Sequence, residues 1–205
     1  MTPMMRRSFS IGMMTALLLT ACATTDLTSS WKDPSYQHQP RTILVVAMTR
    51  KPINKRIIED EFVRQLKARG TDALASYTLM PDEKQGDREF IAKTMKDHGA
   101  EAVLISRMAR KKTVHTFVPG RLTYPPSYYN NWRDYYGYGA QTVYTPGYTV
   151  EDEYAVMEVN LYDAGSEKLI WSASSETEIE GTNSGQIKSY VGVMVSTMNG
   201  LKILK

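Results

Sequence analysis

The sequence predicts an α/β fold in which a mixed five-stranded sheet is combined with three helices in the order β-α-β-α-β-β-β-α. The first observation behind this class is the continuously apolar run 42–48, which is typical of a strand covered on both faces of a sheet. The second is that amphipathic helical stretches alternate with strand-like runs as far as residue 105. The third is a change after residue 106 to long alternating stretches joined by turns, which favours antiparallel pairing.

The first half of the chain predicts three parallel strands linked by helices. A helix is predicted from about residue 54 to 69, because apolar residues recur at helical spacing between Ile58 and Leu66. A short strand over 72–77, a second helix over 87–98 and a third strand starting at residue 102 follow. Links of this length carry right-handed crossovers, so the expected order of these strands is 2-1-3.

The second half predicts two antiparallel strands and a closing helix. Residues 151–162 and 168–178 alternate apolar and polar side chains and are joined by a tight turn at 163–166. A third helix is predicted over 184–202. The expected sheet order is therefore 2-1-3-4-5, with the first three strands parallel and the last two antiparallel, in a single domain over residues 41–205.

A basic start, an uncharged apolar stretch and a cysteine define the N-terminal region. Arg6 and Arg7 precede the apolar residues 11–21, and Cys22 follows as the only cysteine of the chain. This pattern predicts a secretion signal over residues 1–21. A plainly secreted protein and a membrane span are the alternatives, and a span is disfavoured because it needs about 20 apolar residues.

The sequence Leu19-Thr20-Ala21-Cys22 resembles the lipobox of bacterial lipoproteins. By that resemblance the Cys22 sulfur receives a diacylglyceryl group, residues 1–21 are removed, and the new N-terminus is acylated, for instance with palmitate. Ala23 stands where an aspartate would mark retention in the inner membrane. The resemblance therefore implies a protein anchored by lipid to the periplasmic face of the outer membrane.

Composition describes the chain that remains after such processing. Removing residues 1–21 takes away two arginines and no acid, which leaves 23 basic and 22 acidic side chains. A nearly balanced charge does not favour a nucleic-acid partner. Residues 22–40 are rich in Thr, Ser, Gln and Pro, which predicts a flexible tether between the lipid and the domain.

The segment 117–149 is a Tyr-, Pro- and Gly-rich insertion in the predicted domain. A loop of this length is uncommon in a compact domain and is usually functional or disordered. Tyrosine and tryptophan supply rigid amphipathic contact area, so we predict contact with a periplasmic protein partner. A glycan, on which aromatic rings stack, and an insertion packed loosely on its own sheet are the alternatives. The candidate partner-binding residues are Tyr124, Tyr128, Tyr129, Trp132, Arg133, Tyr135, Tyr136 and Tyr138.

A cluster of cations lies at 107–112, before the insertion, and an acidic run lies at 151–153, after it. The cations have two interpretations: they face anionic headgroups, lipid A or peptidoglycan, or the acidic run neutralises them across a hairpin. The second interpretation is favoured, because opposite charges on neighbouring antiparallel strands stabilise their pairing and help to set its register.

Residue types that carry catalysis or bind metal are scattered along the chain. His38, His98 and His115 have no ligand-like spacing, which argues against a metal site. The acidic run 59–61 is expected to be solvated and not tuned for acid–base chemistry. The loop 49–54 after the first strand has no glycine to cradle a phosphate. We therefore expect no cofactor and no enzymatic activity.

Short motifs are spread over nearly all of the chain beyond Cys22: the Trp-Lys-Asp-Pro sequence at 31–34, residues 43–46 followed by 56–63, residues 76–81, and residues 161–163 with 169–171. Together they resemble a family of small proteobacterial lipoproteins of unknown function. The order of elements is also similar to the domain shared by the N-terminal part of TolB, the lipoprotein activators of penicillin-binding proteins and the curli-secretion lipoproteins. With the insertion, these resemblances lead us to expect a lipid-anchored binding or assembly accessory of the cell envelope. A structural envelope lipoprotein without a dedicated partner and an unrecognised hydrolase are the alternatives.

Overall fold

The computed structural model describes residues 25–84, 86–123, 133, 143–179 and 184–205. The predicted signal peptide and Cys22 lie outside the described residues. Within the described ranges, no helix is both long and apolar enough to cross a membrane.

Three α-helices and eight strands make up the described part of the chain. The strands are β1 (Thr25–Lys32), β2 (Thr42–Met48), β3 (Asp72–Ala75), β4 (Ala102–Val118), β5 (Arg121–Thr123), β6 (Val143–Thr145), β7 (Tyr148–Asp163) and β8 (Leu169–Glu178). The helices are α1 (Pro52–Lys67), α2 (Arg88–Asp97) and α3 (Ser184–Gly200).

Six of these strands form one mixed sheet in the order β1-β8-β7-β4-β2-β3, and β5 and β6 form a separate antiparallel pair. β2 is parallel to β3 and β4, whereas the pairs β4–β7, β7–β8 and β8–β1 are antiparallel. The α/β class, the mixed sheet and the three helices are therefore confirmed. The prediction of five strands in the order 2-1-3-4-5 is wrong, because a sixth strand adds to the edge of β8.

That sixth strand, β1, comes from the segment predicted to be a flexible tether. Thr25 pairs with Thr177 at the start of β1, and their hydroxyl oxygens lie 3.0 Å apart in a buried contact. Trp171 Nε1 donates a hydrogen bond to Ser30 Oγ over 3.0 Å. The tether predicted for 22–40 is thus wrong over β1. Most side chains of β1 are exposed. Backbone hydrogen bonds to the open edge of β8, and not an apolar pattern, therefore hold this strand in the sheet.

Helices cover the two faces of the sheet unequally. On one face, α1 and α3 pack against inward side chains of the central strands, including Val45, Leu104 and Leu161. On the other face, α2 contributes Ile91 and Met95 to a smaller cluster over β2 and β4. The larger core therefore lies between the sheet and the pair α1 and α3.

Local signals explain where the first two helices begin. α1 starts at Pro52, two residues earlier than predicted, because proline has a preset φ and needs no hydrogen-bonded N–H in the first turn. α2 begins after Asp87, whose side chain accepts a hydrogen bond from the Phe90 N–H over 3.1 Å.

Candidate functional site

A two-stranded ribbon formed by β4 and β7 extends beyond the six-stranded sheet. The two strands pair from Ala102 opposite Asp163 out to Val118 opposite Tyr148, whereas β8 pairs with β7 only from Tyr154 inward. β5 and β6 continue the ribbon. We call residues 116–123 and 143–150 the distal ribbon. The predicted loop 117–149 is therefore wrong at both ends, because cross-strand pairing continues well into it.

A β-bulge marks the point where β4 leaves the core. The register shifts between Met108 and Arg110, opposite Met157 and Val156. Residues 102–106 of β4 are mostly buried, and most residues from 107 onward are exposed. A bulge of this kind bends a strand and increases its twist, so it re-aims the ribbon relative to the sheet.

The distal ribbon presents large apolar side chains to solvent. Phe117 is 66% exposed, Tyr148 57% and Leu122 49%. Val118 and Val150 lie on the same ribbon face as Tyr148 and are half-buried. Of its sixteen residues, Arg121 alone is charged.

Ion pairs are located at the base of the ribbon. Lys111 pairs with Glu153 over 3.3 Å, which is the cross-hairpin neutralisation predicted from the sequence. Lys112 instead reaches Glu176 of β8 over 2.7 Å, while its Nζ lies 5.9 Å from the centre of the Tyr154 ring. Pairs this exposed contribute at most about 1 kcal/mol each, so they fix register more than stability.

The predicted tyrosine contacts fall almost entirely on residues that the structure does not describe. Arg133 is described as an exposed helical residue. The other candidates, Tyr124, Tyr128, Tyr129, Trp132, Tyr135, Tyr136 and Tyr138, lie outside the described residues. Their role in partner binding stays a prediction, and the structure contributes the ribbon that carries them.

A cleft of about 480 Å³ opens at the carboxyl end of β2, beside residues 106–108 of β4, where the pairing of β4 with β2 ends. Ile58, Met157 and Ile187 line it, together with Ser106 and Tyr190, whose hydroxyl oxygens are buried and 2.7 Å apart. Burial holds the pKa of the Tyr190 hydroxyl far above its ordinary range, so the phenol stays protonated. This edge of a parallel sheet is where α/β folds commonly bind ligands. This cleft was not predicted from the sequence, although the expected order of the parallel strands indicates that a ligand site can lie at their carboxyl ends.

A buried ionic network lies beside the end of β2. Lys55 and Glu59 form an ion pair on α1, and both side chains are almost fully inaccessible to solvent. Ser76 Oγ accepts a hydrogen bond from Lys55 Nζ over 2.7 Å and donates one to Glu59 Oε1 over 2.8 Å. The prediction that the acidic run 59–61 is solvated is wrong for Glu59 and for Glu61, which is also buried. Since solvent does not reach Ser76, it is not presented to a substrate.

The histidines are dispersed in the folded chain. His38 Nε2 lies 3.1 Å from Glu101 Oε2 on the surface, far along the sheet from the exposed His115 of the ribbon. His98 caps the end of α2. Among the described residues, no group of three or more His, Cys, Asp or Glu side chains has an arrangement that could hold a metal ion.

Comparison with known proteins gives a likeness of fold at low sequence identity. No family model matches the chain, and no curated protein matches it. The PelC dodecamer from Paraburkholderia phytofirmans is 12% identical, with 88% of this chain and 99% of that chain covered and a TM-score of 0.46. Lipoprotein GNA1162 from Neisseria meningitidis is 18% identical, with 78% and 99% covered and a TM-score of 0.42. Likeness at this level concerns the arrangement of strands and helices and assigns no activity to this chain.

Proposed function

We propose that this chain is a lipid-anchored accessory protein of the cell envelope that binds a partner protein through the distal ribbon and the Tyr-rich insertion. The observation that supports it is the ribbon itself. It stands clear of the body and carries exposed Phe117, Tyr148 and Leu122 at its end.

The exposed apolar side chains of the distal ribbon indicate an interaction site. A two-stranded hairpin without further cover is marginally stable in water, and here the ribbon exposes aromatic side chains in place of charged ones. Tyr148 shares one ribbon face with the half-buried Val118 and Val150, and contiguous apolar surface of this kind on a protein domain is typical of an interaction site. Aromatic side chains are also the residues that dominate binding energy at interfaces. The aromatic sequence between the ribbon strands extends the same chemistry.

The anchor belongs to the same proposal. Lipidation of Cys22 would hold the protein at the periplasmic face of the outer membrane, and three acyl chains make such an anchor effectively permanent. The proposal gives the chain no catalytic step: Ser76 and Glu59 are buried, and Lys111 and Lys112 of the ribbon base pair with Glu153 and Glu176.

In-cell photo-crosslinking tests this function. A photoreactive amino acid replaces Phe117 or Tyr148 on the distal ribbon, or Ser166 in the turn at the opposite end of the sheet as the matched control. We expect one discrete protein adduct from the two ribbon positions and none from Ser166. A Cys22→Ala version, which lacks the lipid, should lose most of that adduct.

Two results would replace the proposal. The same diffuse adducts from Phe117 and Ser166 would indicate a structural envelope component without a dedicated partner. An adduct that returns to the mass of the uncrosslinked chain when peptidoglycan is digested would identify a glycan in place of a protein.

A further inference from the structure

We propose that the distal ribbon lies in the lipid–water interface of the membrane that holds Cys22. This placement rests on the proposed lipid anchor. It deepens the proposed function, because it locates the partner contact of Phe117, Tyr148 and Leu122 at the bilayer surface, where these side chains also contact lipid, and because it fixes which end of the domain faces the bilayer.

The first step is that the anchor and the ribbon leave the same end of the sheet. One row of paired residues crosses four strands: Thr25 of β1 is opposite Thr177, Thr177 is opposite Ala155, and Ala155 is opposite Lys111 of β4. The first residue of β1 is therefore level with the base of the ribbon. The buried contact between the Thr25 and Thr177 hydroxyls holds it there.

The second step is a comparison of lengths. Cys22 precedes Thr25 by three residues, which span about 10 Å at most when extended. The ribbon runs on from Lys111 for seven more paired residues to Val118, or about 23 Å at about 3.3 Å per residue, before β5 and β6 begin. It therefore extends farther from the sheet than Cys22 can. A lipid on Cys22 lies in the membrane, so the distal ribbon meets the bilayer.

The third step is the distribution of charge along this axis. The distal ribbon carries aromatic and aliphatic side chains with Arg121 as its one charge, and the ion pairs of Lys111 and Lys112 lie behind it at the base. Tyrosine and phenylalanine, with an occasional cation, are the composition of segments that rest at membrane interfaces. At the opposite end of the sheet, surface ion pairs such as Lys67–Asp72 are suited to water.

The depth of the contact follows from the backbone. Each strand of the ribbon is paired on one side, so its outer N–H and C=O groups need water or headgroups as partners. The interface supplies both, whereas the hydrocarbon core supplies neither. The ribbon should therefore enter the headgroup region by its end, so that Phe117 on one face and Tyr148 on the other both contact lipid.

Site-specific fluorescence quenching tests this placement. Cys22 is the only cysteine, so in the lipidated protein a cysteine introduced elsewhere is the only free thiol. Four variants, Phe117→Cys, Tyr148→Cys, Thr113→Cys and Ser166→Cys, are labelled with a polarity-sensitive dye and reconstituted into vesicles containing brominated phospholipid. We expect strong quenching at 117 and 148, weaker quenching at 113 in the ribbon base, and none at 166.

Absence of quenching at 117 and 148 in vesicle-bound protein would overturn the placement, and so would equal quenching at 117 and 166. In either case a surviving crosslink from the distal ribbon would leave the proposed partner binding intact. An intact mass that shows no lipid on Cys22 would overturn the anchor and this placement together.

Discussion

At the scale of single residues, the ionic network of α1 shows how buried charge ties a helix to a sheet. Glu59 Oε1 accepts the Ala47 N–H over 2.8 Å, and Oε2 accepts the Tyr77 N–H over 2.9 Å. With Lys55 and Ser76 as further donors, the carboxylate joins α1 to the end of β2 and to the residues after β3. Such a network is costly to break, because removing one partner leaves the other charge buried and unpaired.

Replacing Lys55 tests the network. We expect Lys55→Met to lower the free energy of unfolding by about 3–5 kcal/mol, measured by urea denaturation, because Glu59 is left buried without its counterion. The double variant Lys55→Met with Glu59→Gln should lose less than the sum of its single changes. Lys67→Met, which breaks the exposed pair with Asp72, is the control and should cost about 1 kcal/mol or less. An equal cost for Lys55→Met and Lys67→Met would contradict this account.

The turn between β7 and β8 depends on an ionised Asp163. Its Oδ1 accepts the N–H and the hydroxyl of Ser166, each over 2.7 Å, and its Oδ2 accepts the Tyr36 hydroxyl over 3.3 Å. Burial acts to raise the pKa of Asp163, but these hydrogen bonds outweigh it and hold the pKa below 3.8. Burial and the nearby carboxylate raise the pKa of Tyr36 to about 12.

This shift predicts a pH dependence of stability. Since the folded-state pKa of Asp163 is below the unfolded value, its contribution is present above the unfolded pKa and is lost as pH falls through the folded one. We expect the wild-type chain to lose more unfolding free energy than Asp163→Asn between about pH 6 and about pH 3. Tyr36→Phe removes one hydrogen-bond donor to Asp163, so its loss of unfolding free energy should lie between those of the other two proteins. Identical losses in urea titrations of all three proteins would argue against a role for the turn.

At the scale of elements, β1 decides whether the N-terminal segment is a tether or part of the fold. The indole N–H of the fully buried Trp171 has Ser30 of β1 as its acceptor. We expect Ser30→Ala to cost about 1–3 kcal/mol in chemical denaturation, because that N–H is left without a partner. Ser29→Ala on the exposed face is the matched control and should stay within about 0.5 kcal/mol of the wild type. If this segment were a mobile tether, Ser30→Ala and Ser29→Ala would have the same small effect on the free energy of unfolding.

Gly147 controls the path of the ribbon where β7 begins. A Cβ at this position would lie 2.8 Å from Phe117 Cζ and 3.0 Å from the backbone atoms Gly120 N and Val118 O. Gly147→Ala should therefore open the end of the ribbon, seen as faster hydrogen exchange of the Val118 amide, without changing the melting temperature of the body.

A second glycine provides the contrast to Gly147. A Cβ added at Gly192 of α3 would meet Gln65 Oε1 at 3.7 Å, which is an ordinary van der Waals contact. Gly192→Ala should raise the free energy of unfolding by about 0.5–1 kcal/mol and leave exchange at the ribbon unchanged. Slower or unchanged exchange at Val118 in Gly147→Ala would show that the close approach does not constrain the ribbon.

At the scale of the whole molecule, the described part of the chain consists of a packed α/β body from which the distal ribbon projects. The larger core is built by β2, β4, β7, β8, α1 and α3, and none of its members comes from the distal ribbon. The proposed binding function and the stability of the body therefore belong to different parts of the chain, so we expect that one can be removed without the other.

Replacing residues 117–149 by Asn-Gly tests this division. Thr116 and Val150 are directly paired, so a two-residue turn can join them. We expect the unfolding free energy of the body to change by no more than about 0.5 kcal/mol, with loss of the partner crosslink. Deleting β1 is the converse variant and should destabilise the body while leaving the ribbon sequence intact. A large loss of unfolding free energy in the Asn-Gly variant would show that residues 117–149 stabilise the body.

Prediction from sequence succeeded where burial leaves a local pattern. The run of β2 is apolar throughout because both its faces are covered, and the alternation from Ala155 to Leu161 in β7 records one buried face. Prediction failed for β1 and for Glu59. Most side chains of β1 are exposed and show no apolar alternation. Lys55 is four residues before Glu59, a spacing that is equally common on a solvated helix face, and nothing local indicates that Ser76 encloses the pair. For the candidate site, the insertion was located by composition, whereas its paired ends and the cleft at the carboxyl edge were not.

The sequence by itself determined the α/β class, the three helices, the mixed sheet and the place of the Tyr-rich insertion, because periodicity and composition are properties of contiguous residues. The tertiary structure alone decided that β1 is the edge strand next to β8, that Lys111 and Lys112 pair with different acidic residues, and that Thr25 is level with the base of the ribbon. Each of these depends on which strand edges meet, and the meeting residues are far apart in the chain. The position of the distal ribbon relative to Thr25, on which the proposed membrane contact rests, is a consequence of that pairing.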